Sequence, residues 1–387
     1  MLVNRIKEPR KFINVLLGPR QVGKTTLIEQ LTSQIEYPTL FVNADEADSI
    51  SGAAWIDRQW ESARIQLKAN GATDFVLIFD EIQKVKEWST TVKKNWDYDS
   101  LKKLNIKIII LGSAQLLLQK GLTESLAGRF EIIRVNHWSF SEMEAAFGVT
   151  PQQYAWFGGF PGATHLINDE RRWKTYVNDA LIETTLLKDI LMMERIDKPA
   201  LLRQLFDLSC HYSGQILSFN KMLGQLQEAG NGSTLNHYLH LLDGAGFVSG
   251  ISKYYKDTIH QKNSIPKLQV LNTAFIAARS VKRFTEVVEQ PQEWGRVIES
   301  VVGAHLMNCA FEGEYKVYYW RERNDEVDFV LQKGTQIIGI EVKSGLSKPT
   351  KGMHVFQGLF HPQKVIMVGI SGIRWEEFIK INPGELF

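Results

Sequence analysis

The chain has 387 residues, 44% of them hydrophobic and 23% charged, with a net charge of +2. That length predicts two to four domains with ample apolar core, and so small a net charge excludes a global field for nucleic acid, so any basic surface has to be local. Two cysteines, Cys210 and Cys309, stand far apart in no metal-binding spacing, which excludes a disulfide framework and fits a reducing cytoplasm. The basic N-terminus runs into an apolar stretch that stops at Gly18, too short for a secretory signal. No stretch of about 18 apolar residues predicts a membrane span. A cytoplasmic protein without membrane contact is the expectation.

Residues 12–17 read as a buried parallel strand, and GPRQVGKT follows at Gly18 to Thr25. Apolar residues 27, 28 and 31 then predict a helix. Strand, glycine loop and helix form the context that a phosphate-binding loop requires. Glycines let backbone N–H groups curl around phosphate oxygens at a helix N-terminus. Gly18, Pro19, Arg20, Gln21, Val22 and Gly23, with Lys24, Thr25 and Thr26, are therefore the expected ATP-binding set. Lys24 would reach the β- and γ-phosphates, and the Thr25 hydroxyl would bind Mg²⁺. A second apolar run, 75–79, ends in Asp80 and Glu81. Burying unpaired charge at a strand end needs a reason. Asp80 would hold Mg²⁺ through water, and Glu81 would act as base on the attacking water. A third run, IKIIILGSAQ, ends at Ser113, either a γ-phosphate sensor or a plain turn residue. Arg129, in SLAGRF, reads either as a phosphate-stabilising arginine, in cis or from a neighbouring subunit, or as an ordinary ion-paired one.

With GPRQVGKTT, FDEIQ, GSA and SLAGR in this order, the chain resembles bacterial and archaeal AAA-type ATPases of the AAA_14/DUF4143 kind, which carry a C-terminal region of obscure function. FGGFP at 157–161 and LLKDIL at 186–191 add to the likeness, which runs from about residue 12 to about 345. The resemblance implies hydrolysis by the Asp80–Glu81 pair as well as binding. NWDYD at 95–99 is more elaborate than that resemblance leads one to expect.

From about residue 140 the parallel-strand rhythm stops. SFSEMEAAFG, RRWKTYVNDALIETTLLKDILMM and ALLRQLFDLSCHYS predict helices, the second with Tyr176, Leu181, Thr184, Leu187 and Leu191 along one face. In the next stretch Ser218 can cap one helix and Ser233 or Thr234 another, before DGAGFVSGI enters a strand. Helix, turn, helix, strand is the winged-helix pattern. Its second helix would expose Asn236, His237 and His240, and the hairpin after it Lys253, Lys256 and Lys262. DNA fits such a helix and basic wing. The helix carries no Arg or Lys for base readout, however, so packing or a protein contact fits as well.

The tail predicts a helix carrying Glu299, then strands EYKVYYW, EVDFVLQ and QIIGIEVK, a helix at GMHVFQGLFH and a strand at QKVIMVGI. Glu341 and Lys343 are two apart, so they share a face of their strand. A short hairpin brings Asp328 toward Glu341. Asp328, Glu341 and Glu299 would form a hard-cation site, with Lys343 orienting water or offsetting phosphate charge, which is chemistry for phosphodiester cleavage. Element order and residues resemble the PD-(D/E)XK nuclease superfamily: Asp328 stands as its first acid, Glu341-Val342-Lys343 as its (D/E)-x-K, and Glu299 as the helical acid of some members. An ordinary Glu–Lys pair, or a retired nuclease that only docks DNA or a partner, is the alternative.

The expected fold is α/β: a P-loop AAA-type parallel sheet over 1–150, a helical lid over 151–210, a winged helix over 211–270 and a restriction-endonuclease-like domain over 271–387. The expected function is Mg²⁺-dependent ATP binding and hydrolysis coupled to a DNA-associated, nuclease-like domain, in a protein that forms a homo-oligomer if Arg129 acts in trans. The alternative is an ATP-switched binding module for DNA or protein with an inactive nuclease fold.

Overall fold

The computed structural model describes residues 2–47, 52–112, 122, 125–185, 190, 196–226, 231–256, 264–345 and 350–387. They form two compact units, Met1–Asn136 and His137–Phe387. No helix among the described residues is long and apolar enough to cross a membrane.

The first unit opens with helix α1 (Leu2–Lys7), strand β1 (Ile13–Leu17) and helix α2 (Lys24–Thr32). Then come β2 (Thr39–Asn43), α3 (Gly52–Ala69), β3 (Phe75–Asp80), α4 (Trp88–Lys102), β4 (Ile106–Gly112) and β5 (Phe130–Arg134). The five strands make one parallel sheet in the order β2-β3-β4-β1-β5. β1, β3 and β4 are buried nearly throughout, which is why INVLL, FVLIFD and IKIIILG read as unbroken apolar runs. β2 and β5 are half-buried edge strands with no such run, so their composition does not announce them. Because the strands are parallel, all five C-terminal ends meet at one edge of the sheet, and that edge holds the candidate residues.

The second unit begins with helices α5 (Phe140–Phe147), α6 (Pro151–Phe157) and α7 (Glu170–Tyr176). Phe140 stacks on Tyr154 and Glu144 pairs with Lys380, so α5 groups with this unit and the division falls at residue 136 rather than near 150. α7 runs on into seven residues of π-helix, Val177–Glu183. The wider turn moves the buried face to Trp173, Val177, Leu181, Ile182 and Thr185. Tyr176 and Thr184, expected on that face, are half-buried, and Leu187 and Leu191 lie outside the described residues. Helices α8 (Pro199–His211), α9 (Phe219–Leu223) and α10 (Gly232–Gly244) precede an antiparallel pair, β6 (Val248–Ile251) and β7 (Lys267–Val270). Ser218 caps α9 as expected. Asn231 caps α10, in place of Ser233 or Thr234: its side chain accepts from Thr234 N. Asn236, His237 and His240 are exposed on α10, Lys256 is exposed and Lys253 half-buried, and Lys262 lies outside the described residues.

Two short helices, α11 (Ala274–Arg279) and α12 (Phe284–Val288), lead to α13 (Pro291–Cys309). Strands β8 (Lys316–Glu322), β9 (Asp325–Lys333) and β10 (Gln336–Lys343), helix α14 (Lys351–Phe360), strand β11 (Lys364–Gly369) and helix α15 (Trp375–Phe378) follow. Helix, three strands, helix, strand is the order expected for the tail. The sheet runs β11-β10-β9-β8, with β10 and β11 parallel and the other pairs antiparallel.

The elaborate NWDYD run ties α3 to α4 in the first unit. Asn95 Nδ2 donates to Asp57 Oδ1 at 2.6 Å, and its Oδ1 accepts from Arg64 at 3.1 Å. Trp96 lies under the Arg10 guanidinium, 3.4 Å from ring centroid, and Tyr98 faces Arg64. Asp99 has no exposed surface, and it accepts from Trp60 Nε1 at 2.6 Å and Arg64 Nε at 2.8 Å. Removing one side of a buried ion pair costs about 3–5 kcal/mol because the other charge is left uncompensated. Asp99→Ala should therefore lower the unfolding free energy of the first unit in urea by about that amount, and its midpoint accordingly, with Asp99→Asn losing less. An unchanged midpoint, followed by tryptophan fluorescence, would show that the pair carries no stability.

Candidate functional site

β1 ends at Leu17, and the chain turns through residues 18–23 into α2. The turn needs its glycines. A Cβ on Gly18 would sit 1.9 Å from the Val135 carbonyl oxygen, and Gly23 has φ +86°. The loop wraps the N-terminus of α2, where unpaired N–H groups favour an anion. Lys24 Nζ donates to the carbonyls of Gly18 at 2.9 Å and Pro19 at 2.6 Å, so its charge sits over the mouth of the loop. Thr25 and Thr26 are exposed in the first turn of α2, as is Gln21 in the loop; Pro19 and Arg20 are half-buried, and Val22 is buried.

Asp80 closes β3, in register with Asn43 of β2 and Leu111 of β4, on the same sheet edge as the loop. Burial raises the Asp80 pKa, and the neighbouring charge of Glu81 adds to the rise, while Lys24 counteracts it. Glu81 takes a left-handed backbone at φ 53°, an uncommon conformation for a non-glycine residue that turns the chain sharply at the strand end. Its Oε2 accepts from Gln83 Nε2 at 2.6 Å. Loop, helix N-terminus, ammonium, hydroxyl and carboxylate are the donor set that a Mg²⁺–nucleotide complex requires, so the residues present fit it.

Of the other expected members, Ser113 lies outside the described residues. Arg129 precedes β5, and Phe130 pairs with Ile13 at the start of β1, so Arg129 sits at the opposite end of the strand from Gly18. Four strand steps separate the two ends, roughly 13 Å. There Arg129 makes two hydrogen bonds to Asp97, at 2.8 and 3.1 Å. The residue of β5 that does reach the phosphate edge is Arg134, paired with Leu17, and no motif flagged it.

The second unit holds a separate cavity of about 360 Å³, lined by Gly214, Gln215, Glu299, Arg321, Glu326, Asp328, Glu341 and Lys343 among others. β9 and β10 carry Asp328 and Glu341 side by side: Asp328 Oδ2 accepts from Val342 N, at 2.8 Å. Lys343 Nζ stands 2.8 Å from Glu341 Oε1, as their shared face requires. Glu341 is 3% exposed, and its Oε2 is buried without a hydrogen-bond partner among the described residues. Glu299, on α13, is engaged elsewhere. Its Oε1 lies 2.7 Å from Nζ of Lys267, a residue of β7 that sequence reasoning missed. Among the described residues no group of three or more His, Cys, Asp or Glu is arranged to hold a metal ion. The expected trio thus lines one cavity, with Asp328 and Glu341 side by side and Glu299 paired with Lys267. Two carboxylates, one with an orphan oxygen, still fit a hard cation that keeps most of its waters. The only trace of Lys267 in the sequence is a lysine opening the apolar run KLQV, a weak signal because such a residue ordinarily marks a strand end.

Burial drives the electrostatics here. It pushes the Glu341 pKa up to about 7, helped by the charge of Asp328 and opposed by Lys343. Burial works against the charge of Lys343, but Asp328 and Glu341 outweigh it and hold its pKa above the ordinary value. Burial lifts Glu326 as well. The sign for stability follows. Between the ordinary 4.5 and about 7, folded Glu341 holds a proton that the unfolded chain has released, so stability falls as pH rises through that window. Denaturation midpoints of the second unit should fall from pH 5 to pH 7 with a shallower slope in Glu341→Gln, and equal slopes would remove Glu341 as the cause.

Comparison with known proteins matches three stretches of the chain to family models. Residues 10–144 match a family model described as an AAA domain, and residues 150–284 and 294–381 match two models described as domains of unknown function, DUF8612 and DUF4143. An uncharacterized protein of Mycobacterium tuberculosis is 24% identical over 86% of this chain and 70% of its own length. An uncharacterized protein of Haemophilus influenzae is 24% identical over 90% of this chain and 86% of its own. Among solved structures, the RuvB Holliday junction branch migration motor of Thermotoga maritima is 17% identical, covering 66% of this chain and 88% of that one, with a TM-score of 0.33. AMPPCP-bound DnaA from Aquifex aeolicus is 12% identical over 62% of this chain and 86% of that one, with a TM-score of 0.32. In its family match over residues 10–144, its parallel sheet and its glycine loop, the N-terminal part of this chain is similar to AAA-type P-loop domains.

Proposed function

We propose that the first unit binds and hydrolyses ATP with Mg²⁺. The observation that carries this reading is the convergence of Lys24, Asp80 and Glu81 with the glycine loop on one edge of the parallel sheet. Lys24 would exchange its two loop carbonyls for β- and γ-phosphate oxygens, with the N–H groups at the start of α2 taking others. Thr25 and Asp80 would hold the metal ion, which supplies charge neutralisation to the phosphates when bound. Glu81 would accept a proton from the attacking water, its carboxylate steadied by Gln83. Ser113, the residue after β4 in sequence, would sense the γ-phosphate. The pairing of Arg129 with Asp97 matches its reading as an ordinary ion-paired arginine; a phosphate-stabilising role would have to be played in trans, in a homo-oligomer. Lys24→Ala should lower phosphate release at least ~100-fold, and Glu81→Gln should lower turnover ~10²–10⁴-fold while ATP binding persists. A Lys24→Ala protein that turns over at the wild-type rate would end this assignment.

For the second unit we infer a nuclease-like domain of a cytoplasmic, DNA-associated protein. The observation behind it is the orphan oxygen of Glu341 beside Asp328 and Lys343, in a sheet with the expected element order. Asp328 and Glu341 would hold one divalent cation, and Lys343 would orient water or steady phosphate charge. α9, α10 and the β6–β7 pair supply the winged-helix candidate, with Asn236, His237 and His240 facing outward toward DNA or a protein partner. Plasmid incubated with Mg²⁺ or Mn²⁺ should be nicked by the wild-type chain and not by Asp328→Ala or Lys343→Ala. ATP-dependent DNA binding without nicking would favour the alternative, a nucleotide-switched binding module on an inactive nuclease fold.

A further inference from the structure

Lys267 is fully buried, yet its ammonium meets two carboxylates that line the acidic cavity, Glu299 and Asp328. Its strand is fixed from behind: Gly214 N donates to Leu268 O at 2.8 Å, and Leu268 N donates to Gln215 O at 2.9 Å. From there Nζ reaches Glu299 Oε1 at 2.7 Å, donates to the Asp328 carbonyl at 3.1 Å and stands 3.9 Å from Asp328 Oδ1. It also lies 4.5 Å from the centroid of the Phe329 ring. Glu299 is confined on its other side, because even a Cβ on Gly214 would come within 3.2 Å of its carboxylate. The carboxylate without a full complement is Glu341, whose Oε2 has no partner.

We propose that Lys267 is the resident cation of this cavity: it occupies Glu299 and confines divalent-ion binding to a single position on Asp328 and Glu341. This rests on the reading above that those two carboxylates take a divalent ion. Lys343, 36% exposed, has room to swing off Glu341 as an ion arrives, whereas Lys267 is enclosed on Glu299, where a second divalent cation would meet the ammonium at distances at which like charges repel by several kcal/mol even at an effective dielectric of 20. Lys267 therefore acts as a positioning residue, through Glu299 and Asp328, and it sets how many ions the cavity accepts.

The test is to count Mn²⁺ bound by the full, nucleotide-free chain, by titration calorimetry and by loss of the free-ion paramagnetic resonance signal. The wild type should bind one Mn²⁺ per chain, lost in Asp328→Asn. Lys267→Met, similar in volume and uncharged, should take a second ion or bind the first at least tenfold more tightly, and adding Glu299→Gln should cancel the gain. The proposal is overturned by a Lys267→Met protein that matches the wild type in number and affinity, or by a wild type that binds two ions in this cavity. No uptake by the wild type with uptake by Lys267→Met would sink the underlying two-carboxylate reading and leave Lys267 as the resident cation. No uptake by either would sink both. Should Lys267→Met fail to fold, wild-type crystals grown with Mn²⁺ decide. One anomalous peak between Asp328 and Glu341, with Glu299 still on Lys267, is the expected result; no peak, or Glu299 coordinated to the ion, overturns it.

Discussion

A lysine with no exposed surface keeps its charge only if opposite charge is close. Lys267 meets that requirement with Glu299 at 2.7 Å and Asp328 at 3.9 Å, and its pKa stays above the ordinary value although burial pulls the other way. The same constraint recurs through the molecule. Lys107 lies inside β4 of the first unit because Asp74 stands 3.0 Å away and the carbonyls of Ile6 and Glu8 accept its remaining hydrogens. Asp99 is enclosed between Trp60 and Arg64. Where the matching is incomplete, at Glu341 and Asp80, burial raises the carboxyl pKa. At both places an added cation would complete the balance, and both are where the chemistry is proposed.

The two units deliver their charges by different means. In the first, parallel strands bring every C-terminal end to one edge, so a loop after β1 and an acid after β3 meet although more than fifty residues separate them in sequence. In the second, an antiparallel pair, β9 and β10, sets Asp328 against Glu341 directly, and a strand from outside that sheet adds Lys267. The first arrangement tolerates change in the helices between strands. The second depends on register, since a slip of one residue would turn every one of these side chains to the other face.

Much of this could be read from the residues. Strands β1, β3 and β4 are buried on both faces, so their apolar runs and terminal polar residues carry a clear signal. The edge strands β2 and β5 are half in water and lack it, and without β5 the sequence could not reveal that Arg129 starts the strand at the wrong end for phosphate. A period of 3.6 residues predicted the helix through Leu181 but misplaced its inner face, because the π-helical turn changes the period. Asn231 took the cap of α10 from Ser233 and Thr234 through a choice of one or two residues that helix propensity does not settle. In the cavity, spacing within one strand fixed Glu341 beside Lys343. Spacing could not find Lys267, which arrives from over thirty residues before Glu299 and by a tertiary route. It thereby removes Glu299 from the set that local pattern had assembled.

Lys267 lies in the stretch matched by one domain model, 150–284, and its partners Glu299 and Asp328 lie in the stretch matched by the next, 294–381. The border between those two stretches therefore runs through an ion pair. Cut there, one fragment would carry a lysine stripped of both its carboxylate partners, and the other a set of carboxylates short of one cation. The middle and the tail of this chain therefore balance each other's charge, and a boundary drawn by family resemblance is no safe place to divide the protein.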